Sequence, residues 1–311
     1  MKIYEGLDRP LEITHAVITA GTFDGVHVGH RKIISRVNEA AREIGGESVL
    51  MTFEPHPRLV LFPDDNGLKL LTTLREKIGL LEKTGLQHLV IIPFTREFSR
   101  LTSLDYVRDI LVDKLRVRRL VIGYDHQFGR NREGNIAQLR EYAPQFDFDV
   151  EEIPAQDIED VKVSSTKIRH ALQSGDIRSA NTFLTYPYML TGTVVHGDKR
   201  GRTIGFPTAN VSVSDSLKLI PANGVYAVYV EADNKKREGM LNIGFRPTVD
   251  GLHHMIEAHI LDYDGDLYGK EIRIWFKDRI RDERKFDGID ALKNQLAHDA
   301  VTAKQLLGSL V

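Results

Sequence analysis

The stretch Gly21-Thr22-Phe23-Asp24-Gly25-Val26-His27-Val28-Gly29-His30 puts two imidazoles three positions apart, directly after the apolar run Ala16 to Ala20. The residues that follow, through Arg31, Ile34, Val37 and Ala41, have helical composition, so the histidines fall on one side of a first helical turn. There, unsatisfied N–H groups and the positive end of the helix dipole favour an anion. Gly29 has no side chain to hold a phosphate chain away. Chemistry at such a place needs no protein nucleophile. His27 and His30 would donate hydrogen bonds to a nucleoside triphosphate α-phosphate as charge builds on it, while a second substrate attacks in line. Gly21, Phe23, Asp24 and Gly29 belong to the same nucleotide-binding loop. Two histidines near a loop also serve as surface polarity or structure, so context has to decide. No Lys-Ser or Lys-Thr follows the glycines at Walker A distance, which removes P-loop chemistry.

Farther along, Val163-Ser164-Ser165-Thr166-Lys167-Ile168-Arg169 opens a stretch with apolar Ile168, Ala171 and Leu172 that ends at Gly175. Hydroxyls at a helix start, with Lys167 and Arg169 in its first turns, form a second anion site. It would hold departing pyrophosphate while the histidines act on the α-phosphate; a simple capped helix is the plain alternative. Two loops read as acceptor sites for a planar heteroaromatic ligand, by stacking and edge contacts. They are Phe53-Glu54-Pro55-His56-Pro57 and Gly123-Tyr124-Asp125-His126-Gln127-Phe128-Gly129. Turn-building prolines and glycines explain much of both without any ligand.

A different chemistry is legible in the second half. The glycine-dense, basic run from Gly192 to Asn210, with Gly197, Gly201 and Gly205, can wrap polyphosphate with its backbone N–H groups. Thr208 and Asn210 are separated by one residue, so on an extended strand their oxygens share a side and suit a magnesium ion. A basic hairpin running into a strand is the bland account. Glu257 and His259 share a face of the strand Met255 to Asp262, where Glu257 is placed to take a proton from an alcohol attacking a γ-phosphate. Solvent exposure of that face is the alternative. Arg281 to Phe286 precedes a C-terminal helix and would close over a flat ligand, or simply lead into the helix.

Two kinds of scaffold must position these groups. Through about residue 185, short apolar runs alternate with amphipathic segments, which predicts a doubly wound parallel α/β sheet. Strands are expected at Ala16 to Ala20, Ser48 to Phe53, Leu89 to Pro93, Leu120 to Gly123 and Phe148 to Ile153. Thr73-Leu74-Arg75-Glu76 has capping-box spacing, and Ser103 precedes a helix over Leu104 to Leu115. After Tyr186-Pro187-Tyr188 the pattern turns to strands and tight turns, predicting an antiparallel β-barrel. Its strands are Tyr188 to Val195, Gly224 to Glu231, Gly239 to Gly244, Ile256 to Tyr263 and Glu271 to Lys277, and a helix over Ile289 to Leu307 follows. The expected domains are therefore 1–185 and 186–311.

The 311 residues are 41% hydrophobic and 28% charged, enough for two cores. A net charge of -2 gives no global field for nucleic acid, so nucleotides fit better than DNA or RNA. The absence of cysteine excludes disulfides, thiolate catalysis and Cys-based metal sites. No signal core or membrane-length apolar run is present, and a cytoplasmic location without membrane partners is expected.

Taken in order, these motifs resemble the bacterial bifunctional riboflavin kinase and FMN adenylyltransferase family, often called FAD synthetase, over nearly the whole chain. Pro207-Thr208-Ala209-Asn210 is the most specific signature, and it occurs jointly with the His27/His30 loop and the Ser164 to Arg169 segment. The resemblance implies a nucleotidyltransferase-type Rossmann-like domain that converts FMN and ATP to FAD and pyrophosphate. It also implies a riboflavin kinase barrel that makes FMN. Carried over by position, His27 and His30 match the adenylyl transition-state residues, and Ser165, Thr166 and Arg169 match ATP contacts. Pro55, Pro57, Asp125 and Phe128 match the FMN site, and Thr208 and Asn210 match the Mg–ATP ligands. Glu257 matches the catalytic base, while Arg281 and Phe286 match a flavin-facing segment. His126 departs from the aromatic that often follows the acidic residue in the family. Riboflavin, FMN, FAD and ATP are thus the expected partners, with Mg²⁺ accompanying ATP and a homo-oligomer left open. A nucleotidyltransferase with another acceptor fits the first half alone, but leaves the second half without a reason. A flavin-binding regulatory or storage protein is opposed by the joint presence of His27, His30, Arg169, Thr208, Asn210 and Glu257.

Overall fold

The computed structural model describes residues 1–64, 67–123, 126–154, 163–197, 201, 204–248 and 251–308, without the side chains of 246–248 and 251–254. The chain divides into two compact units, Met1–Ser165 and Thr166–Val311.

In the first unit, strands β1 (Lys2–Glu5), β2 (Ala16–Ala20), β3 (Ser48–Glu54), β4 (His88–Pro93), β5 (Val117–Gly123) and β6 (Asp149–Ile153) form one sheet in the order β1-β4-β3-β2-β5-β6. Every pairing is parallel. Such strands are covered on both faces, so their sequences run apolar instead of alternating. Ile18, Val49, Leu50, Met51, Val90 and Leu120 are accordingly buried. The five predicted strands are present within a few residues, and β1 is an addition. Its four residues, Lys-Ile-Tyr-Glu, lie at a sheet edge with mostly exposed side chains, and so carry little hydrophobic signal.

The order reverses at β2, whose neighbours are β3 on one side and β5 on the other. That is the switch point beyond which open α/β sheets bind ligands. The chain leaves it through residues 21–27 into α1 (Val28–Glu43). A short α2 (Pro57–Leu61) follows β3, and α3 (Leu74–Leu81) begins with the predicted capping box. The Glu76 N–H donates to Thr73 Oγ1 at 3.2 Å, and the Thr73 N–H donates to Glu76 Oε2 at 3.0 Å. The helix predicted after Ser103 starts as α4 (Ser103–Asp105) and widens into a π-helix, Tyr106–Lys114. Its Leu115 N–H donates to Ile110 O, five residues back. Helix α5 (Ile136–Tyr142) precedes β6.

In the second unit, α6 (Ser165–Ser174, of which Thr166 onward belongs here) and α7 (Ile177–Leu184) lead into a closed barrel. Its strands are β7 (Met189–Val195), β8 (Ala209–Ser212), β9 (Gly224–Ala232), β10 (Lys235–Thr248), β11 (Gly251–Ile260) and β12 (Glu271–Arg281), in the closed order β10-β11-β8-β7-β12-β9. All pairings are antiparallel. Alternation assigns Leu241, Ile243, Ile256, Ala258, Ile274 and Phe276 to the interior. Helix α8 (Ile289–Gly308) lies on the outside, where Ala303 and Leu307 cluster with Ala227 and Met240.

The short α7 is tied to the barrel by hydrogen bonds. Asn181 Nδ2 donates to Phe276 O at 2.8 Å, its Oδ1 accepts from the Tyr188 N–H at 2.7 Å, and Arg178 pairs with Asp278. These contacts group residues 166–184 with the barrel, whereas periodicity alone divides the chain near residue 185.

Candidate active sites

In the first unit, the histidine loop is shaped by Phe23 at φ 47°, Gly25 at φ 83° and Val26 at φ 40°. Such angles cost a residue with a side chain, so the surroundings must hold them. Asp24, 2% exposed, supplies much of that hold. Its carboxylate accepts from the N–H groups of Leu71 at 2.9 Å and Thr72 at 3.1 Å, and Thr72 Oγ1 accepts from the Gly25 N–H at 3.2 Å. Ser165 Oγ donates to Asp24 O at 3.0 Å. Asp24 and Ser165, both expected at a nucleotide, therefore brace the loop.

His27 is the N-cap of α1 and its Nδ1 accepts from the His30 N–H at 3.4 Å. A ring nitrogen that accepts leaves Nε2 as the N–H donor. The two rings stack at 3.6 Å between centroids, 16° from parallel, and Phe23 lies 4.9 Å from His30. Burial holds the His30 pKa well below its ordinary range, and the neighbouring His27 and Lys77 lower it further. His30 is thus held without a fixed charge, and both rings present hydrogen-bond donors at the positive end of a sixteen-residue helix.

The expected acceptor loops emerge at the same end of the sheet. Pro55 is exposed and Pro57 half-buried beyond β3, where His56 caps α2. Asp125 lies outside the described residues. Phe128 is 6% exposed and belongs to the core, where its ring meets Tyr106 at 5.3 Å and His126 at 6.0 Å. Phe94 and Phe98, which periodicity gave no reason to single out, form an aromatic trio with Phe53 at 5.6–5.8 Å. Thr166 is exposed and Arg169 half-buried on α6.

In the second unit, a cavity of about 410 Å³ opens on the outer face of the barrel. Gly201, Thr208, Asn210, Glu257, His259, Arg281 and Phe286 all line it, as do Asn242 and the α8 residues Leu292 and Leu296. Strand register brings the polar set together, because Glu257 pairs with Asn210 of β8 on one side and Asn242 of β10 on the other. Directly opposed residues have Cβ atoms about 4.5–5.5 Å apart. His259 Nδ1 donates to Pro207 O at 2.7 Å and so pins the chain just before Thr208. A Cβ at Gly197 would lie 2.0 Å from Asn210 Nδ2, and one at Gly201 would lie 2.2 Å from Phe206 O. Only glycine permits those approaches. Asp198-Lys199-Arg200 and Arg202-Thr203 of the basic run lie outside the described residues.

Arg281 is locked by the fully buried Asp299 of α8, its Nε and Nη2 donating at 2.7–3.0 Å. The Arg281 guanidinium stands over the Phe286 ring at 5.5 Å and that of Arg284 at 5.0 Å. The 281–286 segment is thereby a built wall of the cavity. A second cavity of about 300 Å³ shares Thr208 with the first and is lined by Tyr263, Asp264, Asp266 and Tyr268.

A switch-point histidine loop in one unit and an acid facing amides across a barrel ladder in the other define a two-domain phosphoryl- and nucleotidyl-transfer class. The model of the FAD synthetase family matches residues 10–167, and that of the riboflavin kinase family matches residues 184–307. The bifunctional riboflavin kinase/FMN adenylyltransferase of Escherichia coli (strain K12) is 40% identical over 311 residues, covering 99% of this chain and 98% of that protein. The protein of the same description from Bacillus subtilis (strain 168) is 38% identical over 96% of this chain and 95% of its own. A crystal structure described as a macrolide-efflux protein from Streptococcus pneumoniae is 33% identical, with a TM-score of 0.89 over 98% of this chain and 99% of its own. Among the described residues no helix is long and apolar enough to cross a membrane. The chain belongs to the bifunctional riboflavin kinase/FMN adenylyltransferase family.

Proposed function

We propose that the barrel unit phosphorylates riboflavin with ATP to give FMN, and that the parallel-sheet unit adenylylates FMN with a second ATP to give FAD and pyrophosphate. The observation that carries the kinase half is the ladder Asn210–Glu257–Asn242, which aims a carboxylate into a cavity also lined by Thr208. Glu257 takes the proton of the attacking riboflavin hydroxyl as its oxygen bonds to the γ-phosphorus of ATP. Thr208 and Asn210 offer oxygen donors on one wall, which suits a hard cation arriving with the triphosphate. Among the described residues no group of three or more His, Cys, Asp or Glu could hold a metal ion alone. Mg²⁺ would therefore be bound jointly by these two side chains, ATP phosphates and water. When bound, it neutralises charge on the transferring phosphoryl group.

In the adenylyl half, an FMN phosphate oxygen attacks the α-phosphorus of ATP as pyrophosphate departs. His27 and His30, stacked at the α1 N-terminus, donate to the charge that develops. Asp24 positions the loop that carries them, and Ser165, bonded to Asp24 O, braces it. Pro55 and Pro57 border the flavin, with Phe128 packing beneath. The division of labour follows domains 1–185 and 186–311, with 166–184 bracing the barrel. The substrates are small molecules of the cytoplasm.

The test is incubation of the full chain with riboflavin, ATP and Mg²⁺, followed by chromatographic separation of the flavins. FMN should appear first and FAD afterwards. Absence of FMN refutes the barrel assignment, and FMN that never proceeds to FAD refutes the assignment of the first unit.

A further inference from the structure

Lys77 is a buried cation, and its nearby carboxylates, Asp24 and Glu54, only partly offset the cost of its burial. It lies in the first turns of α3 and is 5% exposed. Removing an ammonium from water costs several kcal/mol unless its charge is fully compensated, and an arriving anion would complete that compensation. The entry to α3 is stapled to the histidine loop through Asp24, Gly25, Leu71 and Thr72. Lys77 is one turn farther on, its N–H donating to Thr73 O at 2.9 Å. His30, on the other side of that staple, has a buried Nδ1 that is unpartnered among the described residues.

The charges around Lys77 run both ways. Burial lowers its pKa, the carboxylates of Asp24 and Glu54 raise it, and its own charge helps keep His30 neutral. Asp24 is engaged by the backbone of Leu71 and Thr72, and Glu54 ends the strand that leads to Pro55 and Pro57. The lysine is thus within electrostatic reach of both the loop assigned to the nucleotide and the strand end assigned to the acceptor.

We infer that Lys77 is a phosphate-binding residue of the adenylyl-transfer site, supplying positive charge beside the two imidazoles. The inference rests on the assignment of that site to adenylyl transfer. Its ligand is a phosphoryl oxyanion, from either the ATP triphosphate or the FMN phosphate monoester. Lys77 forms no covalent bond; the new P–O bond joins the FMN phosphate to the α-phosphorus, and the bond to the departing pyrophosphate breaks.

Calorimetric titration of the full chain and of Lys77→Met with inorganic pyrophosphate and, separately, with FMN tests it directly. A charged hydrogen bond of this kind corresponds to roughly 10- to 100-fold in affinity. Weakening by that factor is expected for one probe: pyrophosphate if the contact is to ATP, FMN if it is to the acceptor. Unchanged affinity for both overturns the inference. A merely structural lysine predicts the same, because a methionine fills the space without charge. If Lys77→Met does not fold, Lys77→Gln answers the question, and failure of both to fold assigns Lys77 to structure and overturns the proposal. FAD formation by the unsubstituted chain is measured in parallel. Its absence refutes the adenylyl-transfer reading, while the binding titrations still decide whether Lys77 holds a phosphate.

Discussion

His27 and His30 lie beyond the end of a parallel strand on the first turn of a helix, whereas Glu257 and Asn210 lie within strands and face each other across an antiparallel ladder. The first arrangement combines backbone dipoles with two imidazoles on a loop held by the buried Asp24 carboxylate, which reaches the backbone of Leu71 and Thr72. The second is a matter of register. A one-residue slip of β11 would send Glu257 into the barrel interior and Ile256 into the cavity. One site therefore depends on local conformation and its braces, and the other on closure of the whole barrel. Substitutions should separate the two activities cleanly.

The largest separation is expected from Glu257→Gln. It removes the base while leaving the ladder and Thr208 in place, so riboflavin phosphorylation should fall roughly 10²–10⁴-fold. FAD formation from supplied FMN should persist, as a coupled flavin assay would show. An unimpaired kinase would return Glu257 to the role of a half-buried strand residue.

The reciprocal experiment is slightly smaller in scale. His27→Asn and His30→Asn should each reduce FAD formation by roughly 10²–10³-fold, mainly in kcat, with FMN accumulating from riboflavin. Losses confined to the KM for ATP would mean that the rings bind the ground state and do nothing more in the transition state.

Stability sharpens the contrast further. A fragment spanning 166–311 should be more resistant to urea than one spanning 186–311, which lacks Asn181 and Arg178. Losing the partners of Phe276 O, the Tyr188 N–H and Asp278 costs about 1–3 kcal/mol for each group left buried. Both fragments should still make FMN. Equal midpoints would show that α7 is an appendage and that the barrel begins at residue 186.

The smallest effect is a pH dependence confined to the first unit. His30 binds a proton in the unfolded chain below about pH 6.5 but resists it when folded. Acid therefore favours unfolding: no contribution appears above that pH, and stability declines below it by at most about 1.4 kcal/mol per pH unit. Denaturation curves at pH 7.5 and 5.5 should diverge more for the native chain than for His30→Asn. Parallel shifts in the two proteins would refute a neutral, buried His30.

Much of this was legible before any coordinates. The apolar runs of β2 to β6 read as parallel strands because both faces are buried, and the capping box at Thr73 is a local hydrogen-bond pattern that three intervening residues suffice to encode. The pairing of His27 with His30 and of Thr208 with Asn210 is legible for the same reason: their spacings match the helical and extended periods. The edge strand β1 was not legible, since its exposed side chains leave no burial signal. Nor were Asn242, Asp299 and Lys77, which stand out only through what they face.

What the sequence determined on its own is every relation that runs along the chain: helix starts, strand alternation, and the histidine, hydroxyl and amide pairs. Tertiary structure decided the relations across it. Closure of β9 onto β10 and the register of β8, β11 and β10 set Glu257 between Asn210 and Asn242. Packing of α8 buried Asp299 against Arg281, and the fold around α3 buried Lys77. Spacing along a chain encodes only the faces of single elements. Partners far apart in sequence meet through burial of apolar surface and pairing of backbone groups over the whole fold, and it was those that set the electrostatics of both sites.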